Sequence, residues 1–319
     1  MRKVKSEERR VKNDTKHYCV AELPFSITFI DQENGIRLLP SFAPFETQTE
    51  GVDIERLLFN LTVDDSIRPE PKADRERIRD FDTGNGITIV DKLKDGGYQY
   101  IIKDINGSDC CLLITDKDFH HCRCALNGDY MMRSFGLNNA IMLVYAFSAA
   151  YKGAVLMHAS VVRQHGYGYA FIAKSGTGKS TQVSNWLRYL PDCDLMNDDN
   201  PVVRIIDGQC FIYGSPWSGK TPCYRNIKAP LGAVTRINRA PANSIEKLDT
   251  LEAFVSLLPS VSSMKWDERL YETICKNITK ILETTAIYTL HCLPDRESAE
   301  VCNKIIAKKQ INKTYKQDI

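Results

Sequence analysis

The chain has 319 residues, of which 43% are hydrophobic and 26% are charged, and its 42 basic and 40 acidic side chains leave a formal net charge of +2. This composition is typical of a folded globular protein and excludes collagen-like and wholly disordered chains. A nearly neutral chain gives no electrostatic reason to expect nucleic acid as its main partner. The length predicts two domains.

The sequence predicts neither a membrane span nor a secretory signal. The longest apolar stretch, at 140–150, is well short of the roughly 20 residues that a membrane-spanning helix needs. The basic N-terminus is not followed by the apolar segment of a signal peptide. The 11 cysteines lack the spacing of a disulfide scaffold. We therefore expect a cytoplasmic protein with reduced thiols and no membrane contact.

In chain order, residues 1–16 are charged enough to predict a mobile basic tail. Residues 17–135 predict a β-rich N-terminal α+β domain, within which segment 64–76, with two prolines and dense charge, is an exposed loop. Short β-favouring runs separated by glycine-containing turns predict an antiparallel meander over 86–93, 98–103, 110–115 and 120–126.

The last of these runs also contains a candidate metal site. His120, Cys122 and Cys124 share one face if the run is a strand. A strand rises about 3.3 Å per residue, so the first and third lie about 13 Å apart, too far to close a tetrahedral zinc shell unaided. We interpret them as half-buried strand residues.

The remainder, 136–319, alternates strands with helices and predicts an α/β domain. Its first element is a buried helix at 138–152, ended by Gly153, that joins the two domains. Strands are expected at 156–162, 168–172, 202–206, 209–213, 231–237 and 286–292, and helices at 179–190, 250–258, 268–283 and from 295 onward.

A glycine-rich turn lies between the strand at 168–172 and the following helix. Its sequence, AKSGTGKS, fits the phosphate-binding pattern G-x-x-x-x-G-K-[ST] except that Ala173 replaces the first glycine. Gly176 and Gly178 allow successive N–H groups to point into a concave anion site at the start of a helix. Ala173 is tolerated there if its φ is negative.

The pattern ends in two side chains that suit a nucleoside triphosphate. Lys179 supplies positive charge for the β- and γ-phosphates, and Ser180 offers a hydroxyl to magnesium. The alternative is an ordinary turn with a chance Lys-Ser pair, but a strand before and a helix after favour the phosphate site. The predicted nucleotide contacts are Ser175, Gly176, Thr177, Gly178, Lys179, Ser180 and Thr181.

Two further features suggest chemistry beside this loop. Asp198 and Asp199 follow a short apolar segment, and in an extended chain their side chains point to opposite sides. One can therefore bind metal while the other acts as a general base. The alternative is that the pair forms a solvated turn before Pro201. His158 lies on the strand paired with the loop strand. A lone histidine is more often structural, but its neighbours favour a functional role.

This order of His158-Ala-Ser-Val-Val, hairpin, glycine-rich loop and Asp198-Asp199 resembles the C-terminal domain of the bacterial HPr kinase/phosphorylase family, over about residues 154–237. The resemblance implies a P-loop fold of the phosphoenolpyruvate carboxykinase type, with ATP and Mg²⁺ as cofactors. It also implies that Asp199 and Ser180 hold Mg²⁺ and that Asp198, aided by His158, deprotonates the acceptor serine. The two aspartates' roles stay interchangeable at this point.

The chain departs from the family's pattern after the aspartates. In place of the family's glycine-rich signature stands GSPWSGKTP at 214–222, and the N-terminal domain also differs. This resembles a divergent branch, some of whose members phosphorylate a small peptide. Trp217 can stack on a base or peptide, and Lys220 with Arg225 can neutralise transferred charge; alternatively the segment is a surface loop whose Trp217 packs on the domain.

We therefore expect an ATP- and Mg²⁺-dependent kinase that transfers phosphate to a hydroxyl, in the first instance a serine of a small protein or peptide. Two alternatives stay open: a nucleotide-responsive peptide-binding module without catalysis, and a kinase acting on a small molecule such as free serine. The acceptor does not follow from the fold. The resemblance also allows a homo-oligomer.

Overall fold

The computed structural model describes residues 13–30, 36–48 and 56–309. Of the predicted tail, residues 1–12 lie outside this part, whereas residues 14–16 belong to the first strand and are not a tail. The chain forms two compact units. One contains the described residues up to Cys19 and Pro24–Ser148, and the other contains Val20–Leu23 and the described residues from Ala149 onward.

The first unit is a mixed sheet of nine described strands with one long helix. The strands are β1 Asp14–Val20, β2 Leu23–Phe29, β3 Glu46–Thr47, β4 Asn60–Val63, β5 Arg75–Asp82, β6 Ile87–Leu93, β7 Tyr98–Lys103, β8 Asp109–Thr115 and β9 His121–Leu126. The order across the sheet is β3-β1-β2-β4-β9-β8-β7-β6-β5. The predicted meander forms over β6 to β9, and one more antiparallel strand, β5, extends it.

Strand β5 has no apolar alternation, and its first two residues fall within the predicted loop at 64–76. Its side chains pair with a buried carboxylate instead. Arg75 and Arg77 both donate to Asp91 of β6, which is 1% exposed. Burial acts to raise the pKa of Asp91, but the two arginines hold it below the ordinary value. Strand β5 is therefore held to β6 by ion pairs with Asp91, and no hydrophobic pattern in its sequence predicts it.

Helix α1, Tyr130–Ala150, begins eight residues before the predicted start at 138. The Asp129 side chain accepts a hydrogen bond from the N–H of Met132, at 3.0 Å, and this N-cap accounts for the earlier start. Tyr145 and Phe147 make edge contacts with Phe25 and Phe119. These contacts tie α1 to the first unit, so the unit boundary at 148/149 lies beyond the predicted 135/136. No helix of the described residues is long and apolar enough to cross a membrane.

The second unit contains the six strands and the four later helices predicted for the α/β domain, together with three strands outside that prediction, Ala154–Leu156, Cys193–Asp199 and Ser244–Lys247. The helices are α2 Lys179–Tyr189, α3 Thr250–Leu257, α4 Glu268–Thr284 and α5 Arg296–Ile306. The strands are β10 Ala154–Leu156, β11 Ala159–Gln164, β12 Tyr167–Ile172, β13 Cys193–Asp199, β14 Val202–Ile206, β15 Gln209–Tyr213, β16 Lys228–Arg239, β17 Ser244–Lys247 and β18 Ile287–Cys292.

The strands of this unit form one mixed sheet whose directions matter for function. Its order is β10-β14-β15-β16-β12-β11-β13, and β18 pairs with β16 and with β17. Strands β12, β16 and β18 are parallel. Strand β11 is antiparallel to both β12 and β13, so β13 runs in the same direction as β12. The carboxyl ends of β13, β12, β16 and β18 therefore meet at one edge, where open α/β sheets bind ligands.

Helices α2 and α5 pack on this part of the sheet through one apolar cluster. Trp186 of α2 is fully buried and contacts the rings of Tyr169 and Phe171 on β12. Ala299 and Cys302 of α5 belong to the same cluster. Because α2 follows the glycine-rich turn directly, this packing holds the start of α2 at the carboxyl edge of the sheet.

Replacing Trp186 with alanine removes the largest side chain of this cluster. We expect Trp186→Ala to lower the free energy of unfolding by about 3–5 kcal/mol, measured by urea denaturation, because a fully buried aromatic leaves a cavity. Leu187→Ala, on the exposed side of the same helix, is the matched control and should change it by about 0.5 kcal/mol or less. Equal effects of the two variants would contradict this account of the core.

Candidate functional site

The glycine-rich turn connects β12 to α2 as predicted. Gly176 and Gly178 have φ values of +76° and +132°, a region that favours glycine, whereas φ of Ala173 is negative, as its replacement of glycine requires. Gly178 is the N-cap of α2, and no side chain caps this end. The first N–H groups of a helix lack partners within it, so this end has amides available for an anion.

Lys179 is the first residue of α2 and is only 9% exposed. Its Nζ lies 2.8 Å from His158 Nε2 and 3.1 Å from the carbonyl oxygen of Ala173. Burial lowers the pKa of Lys179, and the carboxylates of Asp199 and Asp198 partly oppose this effect. The ammonium is thus held under the turn by acceptors on two elements.

His158 connects this ammonium to a carboxylate. An ammonium has no acceptor, so Nε2 of His158 accepts from Lys179 and the ring proton is on Nδ1. That Nδ1 lies 3.0 Å from Asp199 Oδ1. The three residues therefore form a continuous polar chain, Lys179–His158–Asp199.

Asp198 precedes Asp199 on strand β13, so its side chain lies on the opposite face of the strand, and it is 4% exposed. Its carboxylate accepts from the hydroxyls of Ser160, at 2.6 Å, and Ser180, at 3.3 Å. The backbone N–H of Thr221 lies 3.3 Å from its second oxygen. Ser160 is the cross-strand partner of Asp198 in the β11–β13 ladder, which places its hydroxyl beside the carboxylate.

The carboxylate of Asp199 is more open, with one-third of its side chain exposed. Besides His158, it accepts a hydrogen bond from Asn200 Nδ2 at 2.7 Å. The structure therefore pairs Ser180 with Asp198 and His158 with Asp199. The resemblance implies Ser180 with Asp199 and His158 with Asp198 but leaves the two roles interchangeable. In the structure the alternation of the strand points Asp198 toward Ser160 and α2.

The segment at 214–222 folds against the aspartates. Trp217 is 3% exposed, and its carbonyl oxygen accepts from Asn197 Nδ2 at 3.1 Å. Gly219 packs on the backbone of Asp198, where a Cβ would lie 2.8 Å from the carbonyl oxygen. Trp217 therefore packs inside the unit and does not offer its ring to a base or peptide, whereas Lys220 is exposed at the turn.

Arg225 lies away from the two aspartates. It donates to Asp194 Oδ2 at 3.1 Å and to the carbonyl oxygen of Leu195, and Asp194 also pairs with Arg163. Asp194 is near the start of β13 and Asp198 is near its end, about 13 Å along the strand. The structure therefore places Arg225 in an ion pair with Asp194, and its role in neutralising transferred charge stays a prediction.

A cleft of about 370 Å³ opens on the other side of the turn from the aspartates. Gly178 and Thr181 form one wall, and residues at the ends of β16 and β18 form the other. Arg239, at the end of β16, donates to the carbonyl oxygens of Gly176 and Thr177. Of the other residues predicted to contact a nucleotide, Ser175 and Thr181 are exposed and Thr177 is half-buried.

Sequence reasoning missed Ser160, Asn197 and Arg239. The signal for Ser160 is its place two residues after His158, at the start of the strand that pairs with the loop strand. Asn197 and Arg239 show no local pattern, because their partners lie on segments distant in sequence.

The candidate metal residues His120, Cys122 and Cys124 contact other parts of the first unit. Cys122 and Cys124 are buried on β9, and His120 Nδ1 lies 3.2 Å from the carbonyl oxygen of Leu58. Within residues 13–30, 36–48 and 56–309, no group of three or more His, Cys, Asp or Glu side chains is arranged to hold a metal ion. None of the 11 cysteines, all of which lie in the described residues, forms a disulfide.

Replacing Arg225 distinguishes the structural ion pair from a substrate contact. Burial acts to raise the pKa of Asp194, but Arg163 and Arg225 hold it below its ordinary value. The ion pair therefore stabilises the folded protein at pH values above the pKa that Asp194 has in the unfolded chain. This stabilisation is lost as the pH falls through the lowered pKa of Asp194 in the folded protein. We expect Arg225→Gln to lower the free energy of unfolding at pH 7 by about 0.5–1 kcal/mol, and by a smaller amount below about pH 4.

Urea denaturation at both pH values measures this, and Lys220→Gln, an exposed cation nearby, is the control that should change neither value. An Arg225→Gln protein of unchanged stability at pH 7 would contradict the assignment.

Comparison with known proteins adds no family to these observations. No protein-family model matches the chain, and no curated protein matches it significantly.

Proposed function

We propose that the chain is an ATP- and Mg²⁺-dependent phosphotransferase that phosphorylates a hydroxyl group, in the first instance a serine of a small protein or peptide in the cytoplasm. One observation carries the proposal: the Lys179–His158–Asp199 chain and the Ser180–Asp198 contact lie together at the start of α2, beside a turn with amides available for phosphate. This combination suits phosphoryl transfer, in which catalysis consists mainly of positioning and charge stabilisation.

The turn and Lys179 suit the phosphates of ATP. The space beside Gly176 and Gly178 is open, because no atom lies within 4 Å of a Cβ added at either residue. Phosphate oxygens therefore have access to the backbone there. The amides at the start of α2 and the ammonium of Lys179 donate to anionic oxygens. In this proposal Lys179 exchanges its contact with Ala173 for the β- and γ-phosphates.

The residues beside Ser180 suit magnesium. The Ser180 hydroxyl and the Asp198 carboxylate oxygen lie 3.3 Å apart, and both are hard oxygen ligands. Proteins usually hold Mg²⁺ through one or two carboxylates together with substrate phosphates, so a cluster of three protein ligands is not required. Bound Mg²⁺ would neutralise charge on the β- and γ-phosphate oxygens.

Asp199 is the better candidate for the general base. The Asp198 carboxylate already accepts three hydrogen bonds, whereas Asp199 is partly exposed. Asp199 accepts the proton of the acceptor hydroxyl as its oxygen attacks the γ-phosphorus. The bond from that phosphorus to the β,γ-bridging oxygen breaks, and ADP leaves. His158 holds the Asp199 carboxylate through Nδ1–H.

The open position of Asp199 favours a protein or peptide acceptor. Its carboxylate lies beside Gly219, where an added Cβ would be 3.6 Å from the Asp199 Cγ, and residues 219–222 are all exposed. A surface of this kind admits a side chain of a second macromolecule.

The test is incubation of the protein and a cell extract with ATP labelled at the γ-phosphate, followed by separation by size. Label in protein-sized or peptide-sized material supports the proposal, and label in low-mass material identifies a small-molecule kinase instead. ATP binding without any transfer would leave a nucleotide-responsive binding module.

Lys179→Met removes the charge while keeping an unbranched side chain in the buried position. We expect phosphate transfer to fall by about 100-fold or more, because a preorganised donor to the developing charge is lost. The far-ultraviolet circular dichroism spectrum should stay unchanged. Transfer at the wild-type rate would refute the assignment of Lys179.

The two aspartates should differ when each is replaced by asparagine. We expect Asp199→Asn to lower transfer by about 100-fold or more, with Mg²⁺-dependent ATP binding retained, because only the general base is lost. Asp198→Asn should instead weaken ATP binding in the presence of Mg²⁺, because a metal ligand is lost. Calorimetry and the transfer assay measure the two quantities.

Asp207→Asn, in an exposed turn of the same unit, is the matched control and should alter neither. The opposite result, with Asp199→Asn losing Mg²⁺-dependent binding and Asp198→Asn losing only transfer, would reverse the two roles.

A further inference from the structure

The cleft beside the glycine-rich turn lies outside the residues that handle metal and proton. Its volume of about 370 Å³ falls within the usual range for small-molecule pockets. It is continuous with the phosphate-binding turn, because Gly178 and Thr181 line it. A ligand held at the turn by its phosphates therefore has a place for a further group here.

The sheet order decides which part of a ligand lies in the cleft. Strand β12, which leads into the turn, has β11 and then β13 on one side and β16 and then β18 on the other. The ends of β11 and β13 carry His158, Asp198 and Asp199. The cleft lies at the ends of β16 and β18. A nucleotide whose γ-phosphate faces the aspartates thus directs its nucleoside toward the cleft.

The walls of the cleft suit a flat, mostly apolar group. Ile237, Leu293 and Pro294 provide an apolar surface, and Leu293 is 39% exposed. The Arg239 guanidinium uses its N–H groups on the carbonyl oxygens of Gly176 and Thr177. Planar guanidinium groups stack on aromatic rings, and hydrogen bonding at the edge leaves the face of the group for that contact.

The polar groups of the wall are largely occupied by partners within the protein. The N–H of Leu293 donates to Asn243 Oδ1 at 2.9 Å. The side chain of Gln182 both donates to the carbonyl oxygen of Ser298 and accepts from its hydroxyl. A base held here is therefore recognised by stacking and apolar contact more than by hydrogen bonds to its edge, and such recognition tolerates different bases.

We propose that this cleft is a nucleobase subsite that accepts the adenine or guanine of a purine nucleoside triphosphate without strong discrimination between them. This inference rests on the proposed function, since the phosphates of the same nucleotide occupy the turn. Leu293, Pro294 and Arg239 are the residues that contact the base.

Titration calorimetry in the presence of Mg²⁺ tests the subsite with three probes: ATP, GTP and inorganic tripolyphosphate. The two nucleotides should bind within about three-fold of each other, and both about ten-fold or more tighter than tripolyphosphate, because only they carry a base. Leu293→Asn replaces an apolar contact with a neutral polar one. It should weaken both nucleotides by about five-fold or more while leaving tripolyphosphate unchanged.

Leu251→Asn is the matched control, because Leu251 is an exposed leucine of α3 that does not line the cleft, and it should alter none of the affinities. Nucleotides that bind no tighter than tripolyphosphate, or that are insensitive to Leu293→Asn, would overturn the subsite and leave the phosphate site standing. A large preference for ATP over GTP would overturn the proposed lack of discrimination. If none of the three probes binds, the proposed function and the subsite both fail.

Discussion

Burial of a single ammonium group organises the candidate site. Lys179 is held under the glycine-rich turn with little exposure to water, and the surrounding residues supply acceptors for its charge. Ala173 provides a carbonyl oxygen and His158 a ring nitrogen, which in turn orients the carboxylate of Asp199. The positions of three catalytic candidates from three segments thus follow from the need to compensate one buried charge.

Strand direction explains why these segments meet. The turn follows β12, the aspartates end β13, and β11 between them begins at His158, so the reversal of β11 places all three at one edge. The same edge continues over β16 and β18, where the cleft lies. One row of strand ends therefore places the histidine and the two aspartates on one side of the turn and an apolar cleft on the other.

Charged and aromatic residues near the site divide between two kinds of role. Trp217 and Arg225 are suited in type to binding a substrate, but the structure commits them to packing and to an ion pair with Asp194. Asn197 is buried and holds the chain at Trp217, which brings residues 219–222 against the aspartates. Residue type alone does not separate these roles, because they depend on which partners the fold supplies.

Much of the secondary structure was predictable from the sequence. Glycine, proline and capping residues mark the ends of α2 to α5, and apolar periodicity marks most strands, because these signals act within a few residues. Strand β5 escaped prediction, since its partner Asp91 lies on another strand. The early start of α1 had a local signal in Asp129, its N-cap residue. The prediction instead followed the apolar residues, which begin later in the chain.

The sequence by itself determined that a glycine-rich turn at 173–180 connects a strand to a helix, because such a turn is defined by local backbone preferences. It also named His158, Asp198 and Asp199 as partners. Only the tertiary structure decided which aspartate faces Ser180, that Ser160 supports Asp198, and that Arg239 lies against the turn. Those contacts join residues from separate strands, and their geometry is set by strand order and register, which no local pattern specifies.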